Sequence, residues 1–182
     1  DEIEEIKKEL DELSKRSEKI VRDLERELRE ASKESERLVR KVHDDNRKAL
    51  EELRDVRRRN DEDDKVLEDR LRKVEEENKR IKDELKKRSE DVAKRIEDIL
   101  RDIERRSKEV AERAKEMEDR LKGDELLKEV RRALEEHERV NRELLERIRR
   151  VLEEHKRVNE ELMREIDRSL KELAEIVKRL KD

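Results

Sequence analysis

ALEEHERVNRELLERIRR, residues 133–150, runs directly into VLEEHKRVNEELMREIDR, residues 151–168. The two stretches are copies of one unit offset by 18 residues: His137 maps to His155, Val140 to Val158, Asn141 to Asn159, Leu144 to Leu162 and Ile148 to Ile166. Eighteen residues are five helical turns at 3.6 residues per turn, so a straight helix returns each residue to the same face. A heptad repeat would impose a left-handed supercoil and an 11-residue repeat a right-handed one. The repeat therefore predicts a nearly untwisted helix with a fixed inward stripe.

The same period recurs upstream, with Ser14 mapping to Ser32, Ser17 to Ser35, and Ser89 to Ser107. Apolar residues at gaps of three and four mark an amphipathic helix over about 2–59, from Ile6 and Leu10 through Leu24 and Leu28 to Leu53 and Val56. A second spans about 62–122, from Leu67 through Leu85 and Ile96 to Met117 and Leu121. The third spans about 125–181 and carries the widest stripe, about 140° of the helical wheel against about 120° for the others. Leu134, Leu145, Leu152, Met163, Leu170 and Val177 flank its main line and form a candidate interchain stripe.

Two turns separate the helices. Lys122-Gly123-Asp124 holds the single glycine at a position suited to a left-handed C′ residue, with Asp124 as N-cap. Arg57-Arg58-Arg59-Asn60-Asp61 switches from cations, which suit a helix C-terminus, to anions, which suit an N-terminus, with Asn60 as C′ and Asp61 as N-cap. The apolar phase runs through this second site, so a hinge to continuous helix over 57–65 is the alternative. Short turns make the neighbours antiparallel. The expectation is an all-α, up-down-up three-helix unit forming one rod-shaped domain over 1–182, each helix about 86 Å long.

Charged residues make up 62% of the chain, a level at which disorder competes, but the unbroken apolar period favours helices. Fifty-four cations and 58 anions are interleaved, unlike the one-sided basic face of a nucleic-acid binder, and no aromatic is present to stack on a base. No apolar run is long enough to span a membrane, and no targeting signal is visible. Without cysteine there is no thiolate metal site or disulfide.

Asn60 aside, the serines and asparagines fall on the inward stripes or their edges, among otherwise charged surface positions. The register set by the turns gathers them into three layers. Ser14 and Ser17 meet Ser107, His137 and Asn141; Ser32 and Ser35 meet Ser89, His155 and Asn159; His43 and Asn46 meet Asn78 and Ser169. A buried hydroxyl, amide or imidazole left without a partner costs about 1–3 kcal/mol, so such layers penalise slipped registers that a purely aliphatic core would tolerate.

A sharper reading would make His137–Asn141 and His155–Asn159 metal ligands or acid–base pairs. The two histidines lie about 27 Å apart on one helix, and neither is joined by a second histidine or a cysteine. The structural layer is therefore the expectation, with no catalytic residue, metal or cofactor. Met117 and Met163 read as core fillers.

The units SEKIVRDLERELREASKESERLV (17–39) and RSEDVAKRIEDILRDIERRSKEVAERA (88–114) resemble the outer helices of de novo designed straight helical bundles with buried hydrogen-bond networks. That class includes homotrimeric bundles and latch-and-cage switch proteins, and residues 133–163 look like its inner helix. Histidine stands here where those inner helices often carry glutamine, which raises the question of a pH response. The resemblance implies a synthetic scaffold or self-assembling bundle without natural activity. A conformational switch or helix-binding module is the first alternative, and a natural spectrin-like or coiled-coil spacer the second. The expected partner is the chain itself, as a homotrimer through the third helix, or none, with no nucleic acid, membrane or small-molecule substrate.

Overall fold

The computed structural model describes residues 2–59, 64–120 and 125–181. They form three helices: α1 (Glu2–Arg58), α2 (Asp64–Arg120) and α3 (Leu126–Lys181). No strand occurs among the described residues. Charges at the helix ends complement the macrodipole: Glu2, Glu4 and Glu5 open α1, and Arg57 and Arg58 close it. Asp64 opens α2 and Arg120 closes it, while Lys178, Arg179 and Lys181 close α3. The last backbone bond of the first helical segment runs from Arg59 N–H to the Asp55 carbonyl at 3.2 Å. α1 ends at Arg58 and α2 begins at Asp64, and the junction where the apolar phase allowed continuous helix includes residues 60–63, which lie outside the described residues. The predicted turn residues Asn60, Asp61, Gly123 and Asp124 lie outside the described residues, as does Leu121.

The described chain divides into two compact units. Unit 1 comprises Asp1–Leu28 and Val92–Glu153, and unit 2 comprises Arg29–Asp91 and Glu154–Asp182.

In unit 1, Ile3, Ile6 and Leu10 of α1 pack against Val110, Ala114 and Met117 of α2 and Val130 and Leu134 of α3. Further along α1, Val21, Leu24 and Leu28 pack against Ala93, Ile96 and Leu100 and against Leu144, Leu145, Ile148 and Leu152. As α1 advances, its α2 neighbours fall in number and its α3 neighbours rise. Within the unit α1 and α2 are therefore antiparallel, and α1 and α3 parallel. Unit 2 repeats the pattern. Val39 and Val42 meet Ile81 and Leu85 and Leu162 and Ile166, and Leu53 meets Leu67 and Leu173 and Val177. Each fully buried aliphatic side chain contributes about 1.5–3 kcal/mol.

The wide stripe of α3 is used inside the chain. Leu134, Leu145, Leu152 and Val177 are buried, and Met163 packs half-buried against the cluster around Ile166. Only Met163 and Leu170 of the candidate interchain stripe remain half-exposed. The physical reason is that α3 faces two neighbours in each unit, with small residues such as Ala93 and Ala114 opposite it, so the extra width fills the seams on both sides.

Candidate functional site

The polar side chains on the apolar stripes gather at three places. In unit 1, His137 of α3 is 2% exposed and bridges both neighbouring helices. Its Nδ1 lies 2.8 Å from Ser14 Oγ on α1 and its Nε2 lies 2.7 Å from Ser107 Oγ on α2. Asn141 Nδ2 donates to Ser107 Oγ at 3.4 Å, while Asn141 Oδ1 is buried without a partner among the described residues. Ser17 is buried in the same unit. Burial pushes the His137 pKa below its ordinary 6.5; Glu138 and a hydrogen bond to the Leu10 carbonyl partly oppose this. A groove of about 390 Å³ runs beside the layer, with Ser14 and His137 in its wall and Lys7, Asp11, Lys15, Glu18 and Glu136 around it.

Unit 2 carries the second layer in a more open form. Ser32 Oγ lies 2.9 Å from His155 Nδ1. Ser89, the repeat equivalent of Ser107, is half-buried, and no hydrogen bond joins it to His155 among the described residues. Asn159 is 2% exposed, and its Oδ1 has no partner among the described residues. Ser35 turns back on its own helix, donating to the Ala31 carbonyl at 3.1 Å, the local bond that serines make in helices. Burial alone lowers the His155 pKa.

The third layer, also in unit 2, is built from amides. Asn46 and Asn78 exchange two hydrogen bonds, Asn46 Nδ2 to Asn78 Oδ1 at 2.9 Å and Asn78 Nδ2 to Asn46 Oδ1 at 3.0 Å. Asn46 Nδ2 also reaches Ser169 Oγ on α3 at 3.1 Å, and Asn78 Nδ2 reaches the Val74 carbonyl at 2.8 Å. His43, expected in this layer, is not buried. It lies at the edge with Nε2 3.8 Å from Glu165 Oε2, since it sits three residues from Asn46 and points to the flank of the stripe. Two grooves of about 200 and 280 Å³ flank Asn46, where small polar side chains replace larger aliphatic ones.

One register recurs in these layers. Ser14–His137 and Asn46–Ser169 are each separated by 123 residues, as is Ser32–His155. In unit 1 an ion pair runs one residue off that separation: Arg147 binds Glu25 at 2.7 Å, both Nε and Nη2 reaching Oε1. Glu25 is 9% exposed, the one acidic or basic side chain other than histidine that is buried among the described residues. Sequence reasoning missed this pair, because Glu25 is one glutamate among many and its only cue is its place between Leu24 and Leu28. Other ion pairs between helices, such as Arg113–Glu9 at 3.1 Å and Lys82–Asp167 at 2.5 Å, are exposed and worth little individually.

No set of three or more acidic, histidine or cysteine side chains suited to a metal occurs among the described residues. Among the same residues, no helix is long and apolar enough to cross a membrane. The arrangement defines an all-α three-helix bundle with buried polar layers. No protein-family model matches the sequence, and no curated protein does. A solved structure described as a computationally designed three helix bundle is similar in fold, with a TM-score of 0.68 over 100% of this chain and 92% of that one. The two sequences are 20% identical.

Proposed function

We propose that the chain is a designed structural scaffold: a monomeric three-helix bundle whose polar layers select one helix register, without a biochemical activity of its own. The observation that carries this reading is the set of part-buried hydrogen bonds linking α1 to α3 at a separation of 123 residues in both units. A slipped register strands these hydroxyl, amide and imidazole groups at about 1–3 kcal/mol each, so the layers act as a key. The fold likeness to a designed three-helix bundle supports a synthetic origin. Burial of Leu134, Leu145, Leu152 and Val177 within the chain favours a monomer over a homotrimer joined through α3.

Light scattering on a sizing column, with concentration varied over two decades, tests this. The expected mass is that of one chain, 22.4 kDa, at every concentration. A mass of three chains would overturn the monomer and make controlled assembly the role of α3.

A further inference from the structure

We propose that the two histidine layers respond unequally to acid: unit 2 opens around His155 while unit 1 stays closed around His137. An imidazolium has two N–H donors and needs two acceptors. In unit 1 both are in place, Ser14 Oγ on one ring nitrogen and Ser107 Oγ on the other. Ser107 must then turn its own hydroxyl elsewhere. Asn141 offers Oδ1, an acceptor with no partner, once its amide rotates by half a turn. That rotation gives Oδ1 the Ser107 hydroxyl as a partner and moves Nδ2 into the position Oδ1 leaves.

Charge around His137 favours the same outcome. From α1 the groove presents Lys7, Asp11, Lys15 and Glu18, with Lys15 paired to Asp11 and Lys7 to Glu129. From α3 come Glu136, paired to Arg139, and Glu138. On the α2 side, Arg106 next to Ser107 is paired to Asp102. The unmatched charges, Glu18 and Glu138, are negative.

Unit 2 also holds an idle acceptor, Asn159 Oδ1, but no serine joins it to the ring. His155 holds one serine, at Nδ1. No serine stands at Nε2, so the second N–H of its imidazolium turns to solvent, which enters by parting the seam beside half-buried Ser89. Burial lowers the proton affinity of His155. The pair of His43 with Glu165 in the same unit is exposed and holds little.

Hydrogen exchange of the full chain at pH 7.5 and 5.0, corrected for intrinsic exchange rates, tests the proposal. The expected result is a loss of protection of about tenfold or more at pH 5.0 in 29–58, 64–91 and 154–181. Protection in 2–28, 92–120 and 125–153 stays within about threefold. Equal loss in both units, earlier loss in unit 1, or no loss in either overturns it. In His43→Gln the acid loss persists; its disappearance there would overturn the assignment to His155. In His155→Asn the loss disappears, and should that variant fail to fold, exchange of the unaltered chain with His43→Gln still decides.

Discussion

Asn78→Ala removes one half of the amide pair in the third layer and strands the other. Asn46 Oδ1 loses the donor at 3.0 Å, whereas Asn46 Nδ2 keeps Ser169 Oγ. Asn46→Ala strands Asn78 Oδ1 in the same way, while Asn78 Nδ2 keeps the Val74 carbonyl. Both asparagines are buried, so each stranded oxygen costs about 1–3 kcal/mol, on top of the lost packing of the truncated side chain. Better helix propensity of alanine returns at most about 0.7 kcal/mol. Each single variant is therefore expected to lose about 1–3 kcal/mol. The double variant strands neither oxygen. At the low end of about 1 kcal/mol per oxygen, the double variant is less destabilised than the sum of the singles by about 2 kcal/mol. Urea unfolding followed by circular dichroism, with equal m-values across the four proteins, measures that coupling. Additivity within about 0.5 kcal/mol would show that the pair is not coupled and would refute the argument that this layer specifies register.

The histidines and the buried ion pair give three further expected outcomes. His137 and His155 both have folded pKa values lowered by burial, so the unfolded chain takes up protons first as pH falls. The stabilisation from keeping them neutral is complete above the ordinary pKa near 6.5 and is lost as pH drops below it. Urea midpoints at pH 7.5 and 5.0 should fall more for the unaltered chain than for His137→Asn/His155→Asn, and equal losses would count against it. Ser107→Ala, which removes the partner of His137 Nε2, should cost about 1 kcal/mol, whereas Ser89→Ala, at the unbonded equivalent, should stay within about 0.5 kcal/mol; equal costs would show that the 2.7 Å contact does not hold in solution. Arg147→Ala leaves the Glu25 carboxylate partly buried, and should cost about 1–2 kcal/mol, between an exposed and a fully buried pair. Arg150→Ala, whose pair with Glu146 is exposed, serves as its reference and should be nearly silent in the same unfolding assay.

Much of the bundle is legible in the residues because helical amphipathicity is local: the spacing of Leu24, Leu28 and Leu53 states which face is inward, whatever it meets. The 18-residue offset likewise marks Ser14 and Ser32, and His137 and His155, as equivalent members of a repeat. Equivalent places in the repeat do not guarantee equivalent contacts. Ser107 and Ser89 occupy matching positions, yet one bonds its histidine and the other does not. The difference lies in how α2 meets α3 at each layer, which no single-helix pattern encodes. His43 shows the same limit, since its place beside Asn46 put it near the layer while its direction put it at the edge.

By itself the sequence determined the number, length and inward faces of the helices, because propensity, capping charge and period act within a few residues along one chain. The tertiary structure decided which polar atoms are satisfied, that Glu25 is buried against Arg147, and that Leu134, Leu145, Leu152 and Val177 of the broad α3 stripe are covered by its own chain. Hydrogen bonds and desolvation depend on tenths of an ångström between helices distant in sequence, so their outcome exists only once three inward faces have been packed together.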